Sequence, residues 1–228
     1  MSKLFHKSTL LVAILIVLAG GLLLAAETVP MEVTSAKTEV RQILNDLETK
    51  MRKIESMQTK FSQTKKMSLF QHEVKLSGML SMEKPEHLAW HTQSPVHYSI
   101  IFENDKMYQW DEDTQHVQVF TFSDSPVLKT VIEQMRTWFY GSYVALLDQY
   151  DIQVLSKKPL SLKFVPHKEV LSAAVIKEIA IWFREDESYI ESILIFEKNG
   201  DQSQLTFTDT VLNAKVDPAV WEVNHRAI

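Results

Sequence analysis

Between Phe61 and Asp111 apolar residues recur at every second position. Val74, Leu76, Leu80 and Met82 alternate with Lys75, Ser77, Ser81 and Glu83; Leu88 and Trp90 alternate with His87 and His91; Tyr98, Ile100 and Phe102 alternate with Ser99 and Glu103. A period of two places each apolar set on one face of a strand, so the stretch predicts an antiparallel meander with one greasy side. That side is too broad and too aromatic to need only a small core, which suggests a sheet that cups an apolar ligand.

The flanking pattern changes period. From Ser35 to about Gln58, Val40, Ile43, Leu44, Leu47, Met51 and Ile54 recur at helical spacing, with Thr34 or Ser35 available as N-cap. After the meander, Ser125-Pro126 reads as a helix start with Pro at the first helical position. Leu128, Val131, Ile132, Met135, Trp138 and Phe139 then form an apolar stripe that Gly141 should end. A second short stripe follows in Tyr143, Leu146, Leu147 and Tyr150. Strands resume at Ile152 to Leu155, Leu160 to Val165, Ile179 to Phe183, Ile190 to Phe196 and Gln204 to Phe207, with Asn199-Gly200 as a type I′ hairpin signal. The order helix, sheet, two short helices, sheet is that of an α+β fold.

The N-terminus bears on compartment. Lys3, His6 and Lys7 precede an uncharged run from Leu10 to Ala26, the layout of a secretory leader. Residues 1–26 are expected to be a cleaved signal peptide; if uncleaved, residues 10–26 would tether the protein to the inner membrane. Residues 27–228 are then expected to form one domain. The chain has no Cys, which excludes a lipoprotein signal, disulfides, thiolate metal sites and a Cys nucleophile. A formal charge of −5, becoming −7 without Lys3 and Lys7, argues against nucleic acid or an anionic lipid surface as the main partner. Asp111-Glu112-Asp113 and Glu185-Asp186-Glu187 read as solvated turns between strands.

Several short motifs occur in a telling order: Phe61-Ser62-Gln63, Gly78-Met79-Leu80, Lys84-Pro85, Trp90, Pro95, and Ile100-Ile101-Phe102 running through Asn104-Asp105 to Met107-Tyr108. Asn213, Val216-Asp217-Pro218 and Trp221 follow near the end. In this order and at these spacings the chain resembles the periplasmic lipoprotein carrier (LolA-type) family, as a divergent member. The resemblance implies an unclosed, strongly curved antiparallel sheet, a half-barrel, with the N-terminal helix and two short lid-like helices over a hydrophobic cavity. It implies a periplasmic carrier that shuttles lipoprotein acyl chains, or a related lipid, from an inner-membrane donor complex to an outer-membrane acceptor. It also implies a late aromatic strand at Trp221, and a latch at the basic residue before the Pro, here Lys84, that bonds the lid helices and holds the empty form closed. Where the family usually has Arg, Lys supplies a mobile point charge instead of a planar fork.

The chemistry of such cargo suits the composition. Each methylene withdrawn from water is worth ~0.8 kcal/mol, so a sixteen-carbon chain represents roughly 12 kcal/mol. The expected cavity wall comprises Leu76, Leu80, Leu88, Trp90, Ile100, Phe102, Leu128, Ile132, Met135 and Trp138. Taken singly, Trp90, Tyr98 and Phe102 suit an ordinary core equally well, and Leu128 to Phe139 suits a fixed core helix as well as a lid. No catalytic, cofactor-binding or metal-binding residue is expected, and the protein is expected to act as a monomer. His87 and His91 stand nearly 13 Å apart along an extended strand, too far to bite one metal. A hydrolase would need a motif such as G-x-S-x-G or H-E-x-x-H, and neither occurs. A lipid-sensing module on the same scaffold is the stronger rival, although the sequence after Trp221 is expected to be too short for the second domain such a sensor uses.

Overall fold

The structure, a computed structural model, describes residues 31–69, 73–124 and 135–223. The leader, the helix start at Ser125-Pro126, and Leu128, Val131 and Ile132 lie outside these residues. Helix α1 (Met31–Met51) buries Leu44, Leu47 and Met51, so the helical spacing marked its core face correctly. Its bounds differ from the expected 35–58. It opens ahead of Thr34 and Ser35, and it ends at Met51 because the last turn tightens. The amides of Lys53 and Ile54 bond the carbonyls of Lys50 and Met51 at 3.2 and 3.1 Å, the i→i+3 pattern of a closing helix. Ile54 is buried but lies past the helix, and Gln58 already belongs to a strand.

Among the described residues eleven strands form one sheet. Their ranges are β1 (Ser56–Lys66), β2 (Glu73–Glu83), β3 (His87–Ser94), β4 (Tyr98–Glu103), β5 (Lys106–Asp111), β6 (Val117–Thr121), β7 (Tyr150–Lys157), β8 (Leu160–Pro166), β9 (Ile176–Phe183), β10 (Ile190–Glu197) and β11 (Gln202–Leu212). The order β6-β5-β4-β3-β2-β1-β11-β10-β9-β8-β7 is two antiparallel meanders joined through β1 and β11. The edges β6 and β7 do not pair, so the sheet stays open. Strand β6 was not expected: Val117, Val119 and Phe120 remain exposed on this edge, and their spacing shows no inward set.

The two halves curve towards each other. Phe102 on β4 and Ile179 on β9 line one cavity, although six inter-strand steps of ~4.8 Å would separate their strands by about 29 Å in a flat sheet. Register shifts between Gln58 and Lys60 in β1 and between Ser77 and Gly78 in β2 supply local bends. The hairpin at Asn199-Gly200 differs from the expected type I′. Only Gly200 has positive φ, at 94°, and the Glu197 amide bonds the Asp201 carbonyl at 2.9 Å, giving a three-residue loop with glycine in the left-handed position.

The outer face is covered too, which period-two alternation did not reveal. Ser81, Ala89, His91, Ser99 and Ile101 are all buried there. The C-terminal segment crosses them. Asn213 accepts the Glu55 amide at 2.7 Å and donates to the Lys53 carbonyl, fixing the link between α1 and β1. Asp217 caps a 3-10 turn, Pro218–Trp221, by accepting the Ala219 amide. His91 bonds Ser99 Oγ at 2.8 Å and the Val220 carbonyl at 2.7 Å. Trp221 therefore sits on a 3-10 turn with its ring 5.2 Å from that of His87, and not on the expected late strand.

Gly78 is where the inner face tolerates no side chain. A Cβ there would lie 1.9 Å from the His91 carbonyl oxygen and 2.9 Å from the Phe61 ring. Gly78→Ala is expected to cost about 2–3 kcal/mol through forced backbone displacement, read as a lower urea midpoint. An unchanged midpoint would contradict the close approach of β2 and β3.

Candidate functional site

The inner face of the sheet meets a helix, α2, described over residues 135–140, that packs across it. Gly141 ends this helix as expected: its φ is +83°, and the Ser142 amide reaches back to the Thr137 carbonyl at 3.0 Å. The second short stripe becomes a 3-10 helix, Tyr143–Asp148, with Tyr143 and Leu146 fully buried. Glu48 of α1 accepts the Val144 amide at 2.7 Å, tying that helix to α1.

Two aromatic side chains dock α2 on the far half of the sheet. Trp138 meets Phe164 edge-on at 4.7 Å and Tyr150 at 6.0 Å, and Phe139 meets Phe207 at 5.9 Å. Each such pair adds about 0.5–1.5 kcal/mol beyond area burial. On the near half the contacts are polar. Arg136 Nη2 donates to the carbonyls of Glu86 and Asn104 at 3.4 and 3.3 Å, and Tyr140 Oη donates to the His87 carbonyl at 2.9 Å. Burial pushes the Tyr140 hydroxyl up to about 12, so it remains a donor at physiological pH.

Lys84 lies elsewhere. Its Nζ donates to the Met51 carbonyl at 3.1 Å and approaches that of Arg52 at 3.5 Å, at the C-terminal end of α1. A cation at that helix end suits the macrodipole, and burial lowers its pKa from the ordinary lysine value. The side-chain bonds from α2 to the hairpin turns thus come from Arg136 and Tyr140, residues that helical spacing marks only as the stripe's polar flank.

Beneath α2 lies a cavity. Leu76, Trp90 and Phe102 line it from the near half, Met135, Trp138 and Phe139 from α2, and Ile179, Ile181, Ile193, Ile195 and Leu205 from the far half. Leu80, Leu88 and Ile100, also expected in its wall, are buried in the continuous core instead. Sequence reasoning missed the far wall. The isoleucines alternate visibly on β9 and β10, but nothing local in the chain tells that β11 pairs with β1 and folds them over. It also missed two polar members, Gln63 and Thr92. Both are 2% exposed, and among the described residues neither Gln63 Nε2 nor Thr92 Oγ1 has a hydrogen-bond partner. A buried unsatisfied donor costs about 1–3 kcal/mol.

The cavity is small, about 50 Å³, and is continuous with a wider basin that opens to solvent. Among the described residues no three His, Asp or Glu side chains gather as a metal site. No helix among them is long and apolar enough to cross a membrane.

Comparison with known proteins converges with this geometry. The family model of the outer membrane lipoprotein carrier protein LolA matches residues 52–224. The chain belongs to the outer-membrane lipoprotein carrier family. A curated relative, the outer-membrane lipoprotein carrier protein of Legionella pneumophila (strain Paris), is 32% identical over 74 residues, 32% of this chain and 36% of the relative. The chain thus matches about a third of that relative's length. Among solved structures, the Pseudomonas aeruginosa MucA/MucB complex gives a TM-score of 0.48 at 11% identity, covering 81% of this chain and 60% of that one. Mycobacterium tuberculosis lipoprotein LppX gives 0.45 at 11%, covering 78% and 98%. Family membership rests on the 52–224 match; these distant likenesses add no argument.

The two sets of contacts separate experimentally. Arg136→Met with Tyr140→Phe is expected to speed amide exchange in 135–140 about tenfold while leaving α1 protected. Lys84→Leu is expected to lower global stability by about 1 kcal/mol through the lost helix-end bond and to leave α2 exchange unchanged. Faster α2 exchange in Lys84→Leu alone would return the latch to Lys84.

Proposed function

We propose that this protein is a periplasmic carrier that binds the acyl chains of lipoproteins, or of a related lipid, in the cavity beneath α2 and shuttles them towards the outer membrane. The observation that carries this reading is a largely apolar cavity wall drawn from both halves of the sheet and bridged by a helix whose described contacts include edge-on aromatic pairs and side-chain hydrogen bonds from Arg136 and Tyr140. The family supports a carrier of this kind. A donor complex in the inner membrane and an acceptor at the outer membrane complete the scheme. Nothing in it requires a nucleophile, metal or cofactor.

The dimensions say how such a carrier would work. A cavity of about 50 Å³ does not admit a whole sixteen-carbon chain as it stands, so in this reading α2 lifts and the basin joins the interior on loading. The ~12 kcal/mol of hydrophobic transfer for a whole chain is set against the lost hydrogen bonds and aromatic pairs, while the acyl chain takes over the apolar cover of Met135, Trp138 and Phe139. Closure over the empty cavity recovers those contacts. The loaded state is thereby less favourable by the closure energy, and cargo passes downhill to a tighter acceptor.

Locking α2 tests this directly, and a chain without Cys gives a clean background. A disulfide between α2 and an inward position of β3, at a pair with Cβ atoms about 3.5–4.5 Å apart, is expected to abolish loading of a fluorescent sixteen-carbon acyl probe when oxidised and restore it when reduced. Melting curves confirm that both forms are folded. Undiminished loading of the oxidised form would contradict the moving helix. Protein purified from periplasm that native mass spectrometry finds empty, and that takes up no acyl probe, would contradict the carrier reading itself.

A further inference from the structure

Strand register orders the inner face of the near half of the sheet from one end to the other. Nearest the β2–β3 turn stand Met82, Leu88 and Phe102, in mutual register. Arg136 and Tyr140 fasten α2 at this end, through Glu86, His87 and Asn104. Four residues along β3 comes Thr92, directly opposite Tyr98 on β4 and Gly78 on β2. Two residues beyond the Phe61–Gly78 level on β1 comes Gln63, and two further comes Lys65. The unpaired polar residues of this face thus lie away from the turn to which α2 is fastened, whereas the inward Thr59, nearer that turn, is hydrogen-bonded to Thr208 and Thr210.

The polar members are not alike. Lys65 is buried but bonded to Glu197 at 2.8 Å, with Asp201 at 3.9 Å. Gln63 Nε2 and Thr92 Oγ1 are buried without a partner, and so is Tyr98 Oη opposite Thr92. Buried donors are paired in nearly all folded proteins, so unpaired ones need an explanation. Here two of them line the one cavity described. A cavity meant only for hydrocarbon would need neither.

Resting on the acyl-carrier reading above, we propose that Gln63 and Thr92 form a polar subsite that accepts the carbonyl oxygen of an acyl ester or amide, orienting the ligand with its tail under α2. The donors are neutral, and the nearby cation is already held by two carboxylates. A free carboxylate would therefore enter with no charge to compensate its burial, beside Glu197 and Asp201. A neutral carbonyl meets two matching donors at no such cost. The cavity thus selects acylated molecules over free fatty acids and over bare hydrocarbon.

Competition against a carbonyl-free fluorescent dye, N-phenyl-1-naphthylamine, tests the subsite. The competitors are methyl laurate, N-methyl lauramide, laurate and dodecane, all with a twelve-carbon reach. The parent protein is expected to bind the ester or the amide about three- to tenfold more tightly than dodecane or laurate, in proportion to one or two hydrogen bonds; whichever of the two wins identifies the linkage. Gln63→Leu and Thr92→Val should each lower that preference while dye and dodecane bind at least as tightly as to the parent, and Thr92→Ser should retain it. An unaltered preference in both variants, as a bound water satisfying the donors would give, overturns the subsite. So does equal weakening of dye, dodecane and ester, which marks a purely structural role. If dye and dodecane bind but a carbonyl adds nothing in the parent, the subsite alone falls. If no ligand binds the parent protein, the acyl-carrier reading falls and takes the subsite with it.

Discussion

An open sheet whose own curvature makes its inner face concave must find apolar contact for that face. Helix α1 and the 3-10 helix Tyr143–Asp148 cover part of the face, with Leu44, Leu47, Tyr143 and Leu146 fully or almost fully buried. Over its described residues 135–140, α2 bridges a further part, with Trp138 and Phe139 packed on the far half and Arg136 and Tyr140 bonded to the hairpin turns of the near half. The cavity lies where these coverings meet the curved sheet.

The polar contacts of α2 face the hairpin turns, and the aromatic contacts face β7, β8 and β11. A helix held this way can leave the turns while its aromatic side chains trade the sheet for an acyl chain of equal apolarity, since dispersion and hydrophobic contact are not directional. In the proposed lid motion the hydrogen bonds from Arg136 and Tyr140 would be lost outright and so would favour closure, whereas the aromatic contacts could be exchanged for cargo. On the outer face the C-terminal segment has the opposite character: His91, Asn213 and Asp217 each make specific bonds that fasten the curved sheet from behind.

Much of this was legible in the chain. Alternation named the inward residues of β2, β3 and β4, helical spacing named Leu44 and Leu47, and Gly141 ended its helix for the stated reason. What escaped was decided by contacts remote in sequence. The pairing of β1 with β11 brings Ile179 and Ile193 opposite Trp90, and no local pattern encodes it. The closing of α1 at Met51 depends partly on Lys84, thirty-three residues away. Lys84 itself read as a lid latch by resemblance; its ammonium bonds the end of α1, and bonds from α2 to the hairpin turns come from Arg136 and Tyr140. Gln63 and Thr92 were hidden because a polar residue in a strand reads as outward until the register shows that both face in.

The central claim is that α2 moves away from the sheet to admit an acyl chain. Spin labels at Thr137→Cys on α2 and Ser77→Cys on the exposed face of β2 would be the only thiols in the chain, so pulsed electron resonance can measure the distance between them without and with a bound acyl ester. The account predicts a distribution that shifts outward and broadens on loading, by on the order of one strand spacing, about 5 Å, and returns when cargo passes to an acceptor. A distribution that stays unchanged while the ester is demonstrably bound would contradict it.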